Sequence, residues 1–150
     1  MEKVMIIENT QEMIELGKRI GENLKPQMII TLLGDLGAGK TTLTKGIAQG
    51  MGITDVVNSP TFTIMKIYQG KYPLYHLDVY RITNPDTDFE LEEYIDSDGV
   101  SVIEWAENIK KLLPDEVLEI KIFHLDDNMR KVIINANDEK YIKIINEACK

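Results

Sequence analysis

The chain has 150 residues, 43% of them hydrophobic, and 25 acidic against 17 basic side chains give it a formal net charge of −8. That length suits one domain with one substantial core, and the acidic balance disfavours autonomous binding to a nucleic-acid backbone. No apolar run approaches a membrane span, Met1-Glu-Lys-Val4 is not a signal peptide, and the lone Cys149 argues against a disulfide or a cysteine metal site, so a cytosolic protein is expected.

In chain order, Val4–Ile7 reads as a short strand. Asn9 or Thr10 then caps a helix to about Leu24, with Met13, Leu16, Ile20 and Leu24 on one face. Met28–Leu33 is an apolar run of buried-strand type, and Thr41–Gly50 has helical spacing at Leu43, Ile47 and Ala48. Ile53–Thr61 is polar and contains proline, which predicts an exposed loop. Phe62–Tyr68 and Tyr72–Leu77 flank Gln69-Gly70-Lys71 as a hairpin. Thr87-Asp-Phe-Glu90 has capping-box form and opens a short helix to about Ile95. Asp98-Gly99 is a turn, Val100–Ile103 a buried strand, and Glu107–Leu113 a short helix stopped by Pro114. Val117–Phe123 and Arg130–Asn135 form a second hairpin. A helix from about Asp138, with Tyr141, Ile144, Ile145 and Ala148 on one face, follows. No repeat or linker breaks the chain, and the mixture of parallel strands and hairpins is of the α/β class.

Between the buried strand and its helix lies Gly34-Asp35-Leu36-Gly37-Ala38-Gly39-Lys40-Thr41, the pattern G-x-x-x-x-G-K-T of a phosphate-binding loop. The glycines allow torsions and close approaches that a Cβ would block, so that backbone N–H groups turn inward as an anion nest at a helix N-terminus. Lys40 supplies a mobile cation for the β- and γ-phosphates. Thr41 offers a hydroxyl to Mg²⁺, whereas Thr42 and Thr44 read as ordinary helix residues rather than metal ligands.

Such a loop needs a carboxylate at the end of a neighbouring strand. Tyr75-His76-Leu77-Asp78 and Val100-Ser-Val-Ile103-Glu104 both end in one, and both acids are candidates. His76 and Tyr80 alternate with Leu77 and Val79, which strand packing explains as well as function does. Arg81 suits a salt bridge to the acidic 86–93 stretch better than an arginine finger, and Trp105 either covers the sheet edge or serves the site. Ser59-Pro60 is a plain turn or a loop that responds to the γ-phosphate. His124 reads as a strand-end surface residue, and the methionines as core filler.

The loop, Ser59-Pro-Thr-Phe-Thr-Ile64, His76-Leu-Asp-Val-Tyr-Arg81 and Ile103-Glu-Trp-Ala-Glu107 occur in that order, and together they resemble the TsaE family over nearly the whole chain. The resemblance implies a P-loop NTPase-type three-layer α/β sandwich with a mixed central sheet. It also implies a cytosolic Mg²⁺-dependent ATPase of tRNA threonylcarbamoyladenosine synthesis. Such a protein works with the TsaD–TsaB complex on adenosine 37 of tRNAs reading ANN codons. It reaches tRNA only through that complex and hydrolyses ATP weakly alone.

By the same resemblance Gly34 to Thr42 bind nucleotide, Thr41 and Glu104 contact Mg²⁺, and Asp78 sits by the γ-phosphate. Lys40, Asp78 and Glu104 form the catalytic set. Trp105 stands beside the site, Thr61 on a switch-like loop, Thr10 near the adenine and Arg130 near the nucleotide. One departure is a shorter 81–94 connection that lacks the family's common Leu-Gly. Two other readings share the loop. A small nucleoside or metabolite kinase would need an arginine-rich lid, but the chain has only Arg19, Arg81 and Arg130. A nucleotide-gated interaction module that reads guanine would need an Asn-Lys-x-Asp motif, which is absent.

Overall fold

The computed structural model describes residues 1–35, 37–58, 65–80, 95, 98–126 and 128–149. Its elements are β1 (Glu2–Ile7), α1 (Thr10–Glu22), β2 (Ile29–Leu33), α2 (Lys40–Gly50), β3 (Met65–Gln69), β4 (Pro73–Asp78) and β5 (Val100–Glu104). A 3₁₀ helix (Ala106–Leu112), β6 (Leu118–His124), β7 (Arg130–Asn135) and α3 (Glu139–Ala148) follow. The seven strands make one sheet in the order β1-β7-β6-β2-β5-β4-β3. β2 pairs in parallel with β5 and β6, and β5 with β4. The β1/β7, β6/β7 and β3/β4 pairs are antiparallel.

Strand alternation explains the layering. Ile30 and Leu32 of β2, Leu74 of β4 and Val100 and Val102 of β5 join one apolar core with α1, α2 and α3. Ile29, Tyr75, Leu77 and Ile103, which point the other way, join a second core with Ile95 and with Ile109 of the 3₁₀ helix. The sheet is thus covered on both faces, as the expected three-layer α/β arrangement requires. Two polar ties fix the helices. Asn9 caps α1 by accepting from the Glu12 N–H at 2.9 Å, and the Tyr141 hydroxyl of α3 accepts from the Ile29 N–H at 2.7 Å.

α1 and α2 touch backbone to backbone. A Cβ on Gly21 would overlap the Ile47 carbonyl, and one on Gly46 the Ile14 carbonyl. These positions demand glycine for lack of space, a requirement that apolar spacing in the sequence does not display.

Three expectations need correction. The first strand starts at Glu2, because Glu2 and Lys3 pair with Asn135 and Ile134 across the ladder to β7. The 53–58 stretch is not a simple exposed loop: Ile53 and Val57 are buried, and the Asn58 N–H donates to the Tyr68 hydroxyl at 3.2 Å. The helix expected over 107–113 is a kinked 3₁₀ turn, non-helical at buried Ile109 (φ −126°). Its Asn108 amide donates to the Val79 and Tyr80 carbonyls at 3.0 and 3.1 Å, pulling the segment toward the exit of β4 instead of letting it wind as an α-helix. The capping-box segment 87–90, Arg81, Ser59-Pro60 and the first residues of the hairpin strand expected from Phe62 lie outside the described residues.

Candidate functional site

β2 delivers the chain to the phosphate loop, and α2 leaves it with its N-terminus at Lys40. The conformation depends on glycine at defined points. A Cβ on Gly34 would stand 2.9 Å from the Ile122 carbonyl oxygen. Gly37 and Gly39 hold φ of 78° and 116°, left-handed values that other residues rarely adopt. The Ala38 N–H turns back to the Asp35 carbonyl at 3.0 Å, and the Leu43 N–H donates to the Gly39 carbonyl at 2.9 Å, so the helix begins immediately. The loop therefore has the shape of a cradle at a helix N-terminus, where amide hydrogens and the helix dipole favour an anion.

A cleft of about 860 Å³ opens at this loop, lined by Gly34, Asp35, Gly37, Gly39 and the first residues of α2, Lys40, Thr41 and Thr42. Across it lie Asp78, Glu104 and Trp105. Asp78 and Glu104 are register partners at the ends of adjacent parallel strands, so two carboxylates arrive side by side at the carboxyl edge of the sheet. Thr44 turns its hydroxyl to the Lys40 carbonyl at 2.8 Å, as an ordinary helix residue does.

Glu104 is the electrostatic centre. It is only 4% exposed. Lys40 Nζ lies 3.3 Å from Oε1, and His76 Nε2 lies 2.9 Å from Oε2. Burial alone would push the carboxyl pKa up, but the interaction with His76, followed by the charge and hydrogen bond of Lys40, outweighs it and holds Glu104 below the ordinary carboxylate value. Asp78 is differently held: its Oδ1 accepts from the Tyr80 N–H at 3.0 Å, a tight turn that fixes the acid where β4 ends.

Trp105 follows Glu104 in a left-handed conformation (φ 64°, ψ 37°), an uncommon posture for a bulky residue. Its ring is tilted against Tyr80 with centroids 4.7 Å apart, and both rings stay partly exposed at the cleft. Asn108, through its bonds to Val79 and Tyr80, holds this corner together.

The remaining expected residues are placed unequally. Arg130, the first residue of β7, is not among those lining the cleft; it sits behind the loop, with Nε donating to the Ala38 carbonyl at 2.9 Å and Nη2 reaching the Gly37 carbonyl at 3.5 Å. Thr10 is the first residue of α1 and is not among the residues that line the cleft. Leu36 and Thr61 lie outside the described residues. Ala38 is fully buried and does not line the cleft: its N–H is bonded to the Asp35 carbonyl and its own carbonyl to Arg130.

Two residues that matter here carry little signal in the sequence. His76 shares strand parity with Asp78, a signal that was visible but equally consistent with packing. Asn108 carries no signal, because only the folded corner brings it to Val79 and Tyr80 at the exit of β4. For Mg²⁺, the hydroxyl of Thr41 and the carboxylate of Glu104 are hard oxygen donors of a fitting kind. Among the described residues no three His, Cys, Asp or Glu side chains are placed to hold a metal ion by themselves, so such an ion would need ligands from phosphate and water as well.

The family model for "Threonylcarbamoyl adenosine biosynthesis protein TsaE" matches residues 7–132. The tRNA threonylcarbamoyladenosine biosynthesis protein TsaE of Bacillus subtilis is 46% identical over 140 residues, covering 93% of this chain and 89% of that protein. The Treponema pallidum protein of the same name is 36% identical over 128 residues, 84% of this chain and 95% of that protein. The crystal structure of Bacillus subtilis YdiB superposes with a TM-score of 0.85 at 39% identity, covering 99% of this chain and 95% of that one. With a glycine cradle, a paired lysine and two strand-end carboxylates in place, this chain belongs to the TsaE family of threonylcarbamoyl adenosine biosynthesis proteins.

Proposed function

We propose that this chain is the Mg²⁺-dependent ATP-hydrolysing subunit of the machinery that makes threonylcarbamoyladenosine in tRNA, acting with the TsaD–TsaB complex and reaching tRNA only through it. The observation that carries this reading is the Lys40–Glu104 pair at the mouth of the phosphate loop, with Asp78 in register beside it. The names of the relatives supply the tRNA product, and the sequence resemblance supplies ATP and the partner complex.

The chemistry follows from charge. The loop amides and the α2 N-terminus hold the triphosphate tail. Lys40 exchanges one anion, Glu104, for another, the β- and γ-phosphate oxygens. That exchange frees Glu104, which together with the Thr41 hydroxyl would hold Mg²⁺. The ion, when bound, would supply neutralisation of phosphate charge. Asp78, with one oxygen held by the Tyr80 N–H, uses the other to orient water for in-line attack. Trp105 and Tyr80 limit water at the rim.

Phosphate release from ATP tests this directly, with and without TsaD–TsaB. Lys40→Ala and Glu104→Ala should each lose hydrolysis by at least about a hundredfold while remaining folded. Normal turnover in both variants refutes the assignment, and a rate indifferent to TsaD–TsaB refutes the partnership.

A further inference from the structure

We propose that His76 is a positioning residue for Glu104: it pins one carboxylate oxygen inside the fold and so dictates which oxygen is offered to the metal. The inference rests on the reading of Glu104 as a magnesium partner and concerns a side chain that reading leaves unused.

His76 is completely buried in the middle of β4, on the face where Leu74 and Val102 are apolar. An aliphatic side chain would suit that environment. Instead the imidazole is hydrogen-bonded to Glu104 Oε2, at 2.9 Å. Its other ring nitrogen, Nδ1, is buried and has no hydrogen-bond partner among the described residues. A buried N–H with no acceptor is costlier than a bare lone pair, so the proton belongs on Nε2, which donates to the carboxylate. A nitrogen used in this way cannot itself ligate a cation.

The two carboxylate oxygens are therefore held by unlike partners. Oε1 faces Lys40, a long side chain that lines the cleft and can leave for a phosphate. Oε2 faces His76, a ring locked in the sheet that cannot follow. When Lys40 moves, the bond to His76 persists, and Oε1 is the oxygen left toward the cleft. Without His76 the carboxylate could rotate and present either oxygen, and the buried charge would lose its remaining partner. Hydrogen bonds behind a metal-binding carboxylate set its orientation, and their loss typically weakens metal affinity tenfold or more.

The test separates metal handling from folding. Wild type, His76→Leu, His76→Gln and His76→Asn are compared in two assays: ADP binding in EDTA, and ATP hydrolysis titrated with Mg²⁺. The glutamine amide can reach Glu104 from β4, whereas asparagine is too short. His76→Leu and His76→Asn should bind ADP in EDTA within about twofold of wild type, yet need about tenfold more Mg²⁺ for half-maximal hydrolysis. His76→Gln should recover most of that difference. If His76→Leu does not fold, the Gln/Asn pair alone decides. Equal Mg²⁺ requirements for Gln and Asn, or for any soluble variant lacking the donor and wild type, overturn the proposal while leaving the proposed function standing. A wild-type protein whose hydrolysis ignores Mg²⁺ would overturn both.

Discussion

At the scale of single residues, Glu104 concentrates the most opposing terms. Burial opposes its charge, and His76 and Lys40 more than restore it, so its folded pKa lies below the ordinary value of 4.5. The sign of the linkage follows. The pair contributes stability that is fully present above pH 4.5 and is lost as the pH falls through the lower, folded value. Glu104→Gln keeps the shape but has no proton to take up. Urea unfolding of both proteins across pH 3–7 should show a stability gap that is constant at the upper end and narrows in acid. A gap that widens as the pH falls would mean that His76 and Lys40 do not stabilise the carboxylate. This residue was legible as a metal candidate because it ends an apolar run. Its partner His76 was not, because two positions of strand parity describe a ligand support and a packed side chain equally well.

At the scale of elements, the helical and strand periodicities carried most of the fold. The apolar faces of α1 and α3 lie where Met13, Leu16 and Ile20, and Tyr141, Ile144 and Ile145, were expected to point. What periodicity could not convey is how close two elements come. α1 and α2 meet through glycines, and a methyl group on Gly46 would collide with the Ile14 backbone carbonyl, which cannot rotate away as a side chain does. Alanine is intrinsically better in a helix than glycine by about 1 kcal/mol, but overpacking costs about 1–3 kcal/mol, and against rigid backbone the cost prevails. Gly46→Ala should therefore melt several degrees below wild type. Because α2 begins at Lys40, displacing it should also weaken nucleotide binding. A variant that melts at or above the wild-type temperature would show that the two helices can move apart freely. The 3₁₀ segment illustrates the same limit: Asn108 reshapes it through contacts to Tyr80 and Val79, just past β4, that lie 28 and 29 residues away in sequence.

At the scale of the whole molecule, the site gathers residues from across the sheet. The loop grows from central β2, Glu104 comes from β5, Asp78 and His76 from β4, and Arg130 holds the loop's Gly37 and Ala38 carbonyls from β7 on the antiparallel side. The motif in the sequence announced the loop but not this tie, since a single arginine 92 positions from Ala38 has no local pattern to mark it. A ligand seated in such a loop restrains both halves of the sheet together and should stabilise the entire fold rather than one corner. Nucleotide at a hundred times its dissociation constant contributes about 2.7 kcal/mol, which in a chain of this size raises the melting temperature by roughly 5–10 °C. Scanning calorimetry with ADP and Mg²⁺ should find one transition displaced as a unit. Lys40→Ala should lose most of the displacement. Arg130→Met should retain the fold but show a smaller shift at the same nucleotide concentration, because the carbonyls behind the cradle lose the cation that orients them. If Arg130→Met is stabilised by nucleotide as strongly as wild type, the arginine is only a surface tie between β7 and the loop, and the cradle keeps its shape through its glycines alone.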